Sequence, residues 1–218
     1  MRFVLLLLTG CSMLAQKPLA IGLLDIKTDR SKTGVRLYNI SYSLTNETDR
    51  PIAFFLTTTE GFIPQISSSS SAYVHYRLFQ DGKPVDAPGV FTFGVATWMS
   101  DAEMERKLNS VRSENRDVEL LLKRRRDYIA SSLMKLEPKQ SKLFSVVMAW
   151  DHERYQRYDE MEYYLDSNDQ YVFELSAHLM KEELYDEFKA VDMEKLLDEP
   201  HLVTGWITSN RMPIDLSP

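Results

Sequence analysis

A mainly-β fold is what this sequence predicts: an antiparallel β-sandwich with helical insertions at about 100–130 and 181–198. Three observations lead there. Apolar and polar residues alternate over several short segments, the period of a strand that buries one face. Clusters of turn formers separate those segments. Successive strand pairs have no regular helix between them, which argues against a parallel, doubly wound sheet. The 218 residues suit one large domain or two small ones, and 44% hydrophobic with 27% charged residues is a globular composition rather than a disordered one. No internal repeat is present.

Ala20 to Lys27 reads as the first strand. In Val35 to Leu44, Tyr38, Ile40, Tyr42 and Leu44 share one parity against Asn39, Ser41 and Ser43. Thr45 to Pro51 is rich in turn formers, and Ile52 to Leu56 follows as a strand, so the two suggest a hairpin-like pair. Gly61 to Ser71, ending in the serine run Ser67–Ser71, reads as a flexible loop. Val74, Tyr76 and Leu78 alternate against His75 and Arg77, Asp81-Gly82 marks a turn, and Val90 to Trp98 supplies another apolar strand. Ser100-Asp101-Ala102-Glu103 then has the form of a capping box. Met104, Leu108, Val111, Val118, Leu121, Leu122 and Ile129 follow at roughly helical spacing, the mark of a long helix or a helical pair. Leu133 to Leu136 and Leu143 to Trp150 restore the strand pattern around Glu137-Pro138-Lys139-Gln140. Tyr171, Phe173, Leu175, Ala177 and Leu179 alternate against Glu174, Ser176 and His178. A helix from about Lys181 to Asp198 stops before Pro200, and Val203 to Thr208 with Ile214 closes the sheet.

The beginning of the chain carries an address. Arg2 supplies a positive charge and Phe3 to Leu8 an apolar run far short of the roughly 18 residues that cross a bilayer. A positive start, a short apolar core and small residues before a cut site describe a secretory signal. Leu8-Thr9-Gly10-Cys11 resembles the bacterial lipobox, in which the Cys sulfur receives diacylglycerol and cleavage before it frees an amine for a further acyl chain. The resemblance implies a signal peptide over 1–10, a lipidated tether over 11–19 and a single domain over 20–218. Acyl chains at about 0.8 kcal/mol per buried CH₂ hold such a chain on a membrane. Ser12 after the Cys, where Asp would favour inner-membrane retention, implies an outer-membrane lipoprotein facing the periplasm.

A second resemblance lies in the body. Ser43 to Ile52, with Thr45-Asn46-Glu47-Thr48-Asp49-Arg50-Pro51 at its centre, is similar to a strand-turn-strand of immunoglobulin-like accessory domains such as the BsuPI-type proteinase inhibitor family. Leu136-Glu137-Pro138-Lys139-Gln140-Ser141, followed by a strand ending Ala149-Trp150-Asp151, resembles a second stretch of them, with Lys139 where Gly is usual. Tyr171 to Ala177 is similar to their next strand and Thr208 to Ile214 to their last. The resemblance implies an Ig-like sandwich and does not carry protease inhibition with it.

The search for chemistry yields no catalytic residue. The glycines form neither a nucleophile elbow nor a phosphate loop. His152-Glu153-Arg154-Tyr155-Gln156 has Gln where the zinc-protease helix needs its second His. Asp166-Ser167-Asn168-Asp169-Gln170 lacks the Gly and the closing Glu of a calcium loop, and reads as a polar turn. One Cys excludes a thiolate cluster, so no metal or cofactor is expected. His75 and His178 fall on the polar parity of their strands and read as surface histidines. A net charge of -6 argues against nucleic-acid binding. Lys123-Arg124-Arg125-Arg126, placed late in a helix, would complement the negative end of its dipole and stay solvated, or touch anionic head groups or an acidic partner. The stretch Asp151 to Tyr171 is acidic and dense in tyrosine, and Tyr155, Tyr158, Tyr163 and Tyr164 make it the candidate contact surface. Together these features suggest a non-enzymatic, lipid-anchored envelope module with an envelope protein or glycan as partner. The alternatives are a carbohydrate-binding or protease-inhibitor module, or an envelope hydrolase without a recognisable motif.

Overall fold

The computed structural model describes residues 17–30, 35–58, 62–65, 71–85, 115–151 and 170–216. Cys11, Tyr155, Tyr158, Tyr163, Tyr164 and His152 lie outside them, as do the expected strand at 90–98, the capping box and the polar turn at 166–169.

The architecture is mainly β and sandwich-like. One antiparallel sheet has the order β1 (Leu19–Asp29), β2 (Val35–Asn46), β8 (Ser141–Asp151). The other runs β10 (Gly205–Ile214), β9 (Tyr171–Leu179), β5 (Val74–Gln80), β4 (Ile63–Pro64), with β6 (Lys83–Pro84) also on β5. A small ladder pairs β3 (Ile52–Phe55) with β7 (Leu133–Leu136).

Parity decides which side chains meet. Tyr38, Ile40, Tyr42 and Leu44 of β2 point inward, as do Phe173, Leu175, Ala177 and Leu179 of β9 and Val74, Tyr76 and Leu78 of β5, and they share one core. Within it Tyr42 stacks on Phe144 at 5.0 Å between centroids, and Tyr76 stacks on Phe173 at 5.4 Å. The Asp81-Gly82 turn is a two-residue hairpin between β5 and β6, with φ of 50° and 76° at its centre, as right-handed strand twist favours.

β1 lies along β10 in the same direction and closes one side of the sandwich. Lys17 bonds the Trp206 carbonyl, the Tyr38 hydroxyl donates to the Asp215 carbonyl (2.7 Å), and Arg30 pairs with Asp215. Between these points each strand bulges, β1 between Leu23 and Asp25 and β10 between Thr208 and Arg211. The β10 bulge aims Asn210 at β1, where its amide accepts from the Leu23 N–H (2.8 Å) and donates to the Leu23 carbonyl (3.0 Å). A side-chain amide thus supplies what a ladder bond would have supplied.

The hairpin-like pairing of Val35–Leu44 with Ile52–Leu56 does not form. β2 pairs with β8 as far as Thr45 opposite Ser141, and β3 pairs instead with β7, Ile52 opposite Leu136. The cause is Asn46, which is fully buried. Its Nδ2 donates to the carbonyls of Arg50 (2.8 Å), Glu137 (2.9 Å) and Leu136 (3.2 Å), and its Oδ1 accepts from the Thr48 N–H (2.9 Å) and hydroxyl (2.7 Å). One amide satisfies both strand-to-strand passages, so the two chains step from one ladder to the next side by side. Lys139 turns the second passage with φ 59°, a conformation that favours glycine.

Helix α1 (Asn115–Ser132) places Leu122, Arg126 and Ile129 on one stripe, against Phe55 and Leu133. Its end is set by serines: Ser131 and Ser132 donate to the carbonyls of Tyr128 (2.7 Å) and Ile129 (2.8 Å). The expected helix over 181–198 breaks in two, α2 (Lys181–Lys189) and a 3-10 helix (Glu194–Asp198), with Asp192 at φ 60° between them. An unbroken helix would put Leu197 on the face opposite Phe188, whereas the break lets Leu184, Phe188, Val191 and Leu197 fill one small core with Ile129. The expected loop 61–71 also contains packed residues, since Phe62 touches the core and Ser71 is buried. Among the described residues no helix is long and apolar enough to cross a membrane.

Candidate functional site

Three rings meet where the chain enters the domain. β10 pairs with β9 so that Trp206 faces His178, and β5 brings His75 opposite Ser176, the neighbour of His178 on the same face. The rings of His178 and Trp206 stack at 4.3 Å and 11°, and His75 stands 6.4 Å from the same indole. The expectation that both histidines lie on the surface is overturned: His75 is 1% exposed and His178 8%. Parity assigned them correctly to the face opposite the main core, but that face is itself covered. Gln65 accepts from the Ser176 hydroxyl (2.7 Å), Trp206 covers His178, and α2 begins immediately beyond Met180.

The first turn of α2 places Glu183 Oε2 3.6 Å from His178 Nδ1. Ser71 holds this junction, accepting from the Met180 N–H (2.6 Å) and donating toward the carbonyls of His178 (3.0 Å) and Met180 (3.2 Å). Its hydroxyl is committed to backbone, so it does not form a nucleophile–base pair with His178. Among the described residues no group of three His, Asp or Glu could hold a metal ion. The corner is an aromatic platform with one carboxylate at its rim. Trp206 remains 38% exposed, and Lys17 donates to its carbonyl at 2.7 Å.

The basic cluster lies close by, on α1. It was expected near a helix C-terminus, but α1 continues to Ser132 and its last turn has no basic residue, so the cluster gains nothing from that end of the dipole. Instead its members divide. Arg125 pairs with Glu187 of α2 at 2.6 Å and lies over the Tyr128 ring at 5.3 Å. Arg126 donates to the Val191 carbonyl (3.3 Å) and approaches Glu119 at 3.8 Å. Tyr128 adds a polar link to the sheet, its hydroxyl sharing hydrogen bonds with Thr57 (3.0 Å) and Tyr73 (2.9 Å). Lys123 and Arg124 stay exposed, beside Leu120 and Leu121.

The structure therefore assembles what the sequence had left apart, His75, His178 and Trp206, and splits what had looked like one basic patch. Trp206 was readable only as closing-strand material, because its meeting with His178 depends on the β9–β10 register. No protein-family model and no curated protein matches this chain.

Proposed function

We propose that this protein is a lipid-anchored cell-envelope module that binds or assists a partner and has no catalytic activity of its own, held at the outer membrane facing the periplasm through Cys11. The observation that carries the reading is Leu8-Thr9-Gly10-Cys11, set directly behind Arg2 and the apolar run Phe3 to Leu8. The fold is compatible with it. The first strand opens at Leu19, at the end of the expected tether, and Lys17 within that tether donates to the Trp206 carbonyl. An Ig-like sandwich, as the Asn46 and Lys139 passages suggest by resemblance, hosts many unrelated functions, so the module reading rests on the anchor motif and the tyrosine-dense stretch and not on the fold. The acidic, tyrosine-dense stretch with Tyr155, Tyr158, Tyr163 and Tyr164 is the contact surface in this reading. That residue chemistry also favours the second reading, a carbohydrate-binding or protease-inhibitor module.

Labelling with a clickable fatty acid tests the anchor. The parent chain incorporates label and Cys11→Ser does not; equal labelling of both removes the anchor from the account. Affinity capture with envelope proteins and glycans tests the module, with loss of the captured partner expected on joint substitution of Tyr155, Tyr158, Tyr163 and Tyr164 by Ala.

A further inference from the structure

We infer that the outward face of α1, built from Leu120, Leu121, Lys123 and Arg124, rests on an anionic lipid bilayer; this deepens the lipid-anchored reading and rests on it. Leu120 is 47% and Leu121 53% exposed, neighbours on one helix beside Lys123 and Arg124, which makes a small apolar and basic patch. Arg125 and Arg126 of the same run are engaged with α2 and its following turn, whereas among the described residues Lys123 and Arg124 have no ion pair. Leu120 and Arg124 stand one turn apart at the outermost line of the helix, opposite the stripe of Leu122 and Ile129 that packs inward. Asp127 is an acidic residue on that outward side, and Glu119 is approached by Arg126. Asp127 stands one turn from both Lys123 and Arg124, so the strip keeps one positive charge in excess on a chain whose net charge is -6. That combination matches a bilayer surface, with head groups for the cations and an acyl boundary for the leucines.

The stretch from Cys11 to Lys17 can span at most about 20 Å, and Lys17 donates to the Trp206 carbonyl at 2.7 Å. Trp206 stacks on His178, α2 begins at Lys181 just beyond it, and Glu187 of α2 holds Arg125 of α1 at 2.6 Å. A nine-residue helix is about 13 Å long, so an unbroken run of contacts links Lys17 to α1. Acylation of Cys11 would hold the domain at the bilayer, where weak electrostatic and apolar contacts act at high local concentration.

The test uses the mature chain, residues 11–218, with Cys11→Ser, which has neither an acyl chain nor the apolar run Phe3 to Leu8, in flotation with phosphatidylglycerol–phosphatidylcholine vesicles and with pure phosphatidylcholine vesicles. The proposal expects binding to the first only, loss of binding with added salt, and a fall of about thirtyfold for K123A/R124A, since each cation near such a surface contributes about fivefold. L120S/L121S should weaken binding as well. These side chains are exposed, so far-UV circular dichroism of the variants should match the parent. No binding to the phosphatidylglycerol vesicles, or binding unaffected by salt and by K123A/R124A, overturns the proposal. Fatty-acid labelling of the parent separates the two readings. A labelled protein whose Cys11→Ser form ignores these vesicles keeps its anchor and loses the helix contact; an unlabelled one that binds them keeps the contact and loses the anchor.

Discussion

Replacing Asn46 by Ala removes five hydrogen bonds at once, to the carbonyls of Arg50, Leu136 and Glu137 and from the N–H and hydroxyl of Thr48. The contact with the Leu136 carbonyl is fully buried, so that acceptor would be left without water as a substitute. The other four are part-buried, and solvent replaces some of what they lose. With about 1 kcal/mol net per replaceable bond and 1–3 kcal/mol for the orphaned acceptor, discounted for partial hydration, Asn46→Ala should cost about 3–5 kcal/mol. That is a large share of the roughly 5–15 kcal/mol that holds a domain together. Asn46→Asp keeps the shape but turns the donor into an oxygen facing three carbonyls, so it should be at least as damaging. Urea unfolding followed by far-UV circular dichroism measures both. A cost below about 1 kcal/mol for Ala, or an Asp variant more stable than the Ala one, would refute the assignment of both passages to this side chain.

Other substitutions probe separate parts of the fold. The Tyr42 hydroxyl is buried among Phe62 and Phe144 with no hydrogen-bond partner among the described residues, and burial pushes its phenol well above the ordinary value. Tyr42→Phe should leave stability unchanged or raise it by about 1 kcal/mol. Because the folded chain holds that proton more tightly than the unfolded chain, stability is flat with respect to this group below pH 10 and declines above it. Urea midpoints taken across alkaline pH should show a shallower decline for the variant; an unchanged slope contradicts the burial. Lys139 at φ 59° should accept Gly, whereas Lys139→Val, branched at Cβ, should lose at least about 1 kcal/mol in thermal melts. Ile129 is buried in the second core, so Ile129→Ala should cost about 2–5 kcal/mol. Leu120→Ala, on the exposed side of the same helix, should stay within about 0.5 kcal/mol of the parent, and equal losses at the two positions would misplace the helix face.

What could be read from the sequence was whatever one element decides by itself. The alternation in β2 and β9 fixes which side chains of those strands enter the core, and the inward rows are the ones the pattern indicates. Asp81-Gly82 needs only its own backbone to make a turn. Features that depend on a second element were hidden. Asn46 sits in a segment that looks like an ordinary turn, and only the arrival of Leu136 and Glu137 makes it a bridge instead of a hairpin. The polar parity of His75 and His178 says which face they occupy, not that Trp206 and Gln65 cover that face. β10 reads as separate pieces because Ser209 and Asn210 interrupt the alternation. Their side chains restore the missing bonds, Ser209 accepting from the Leu175 N–H and Asn210 bonding Leu23. The helix after β9 breaks because Leu197 must share a core with Phe188, a demand that helical periodicity cannot express. At the candidate site, charge type was legible in Lys123 to Arg126, but the division between paired and exposed cations required α2 alongside.

Lipid anchoring depends on the chemistry at Cys11, and mass spectrometry of the N-terminal peptide from detergent-extracted protein tests it most directly. The predicted result is a mature chain that begins at Cys11, with diacylglycerol on its sulfur and an acyl chain on its amine. A peptide that begins upstream of Cys11, or one in which the Cys11 thiol is free, would contradict the lipid-anchored reading.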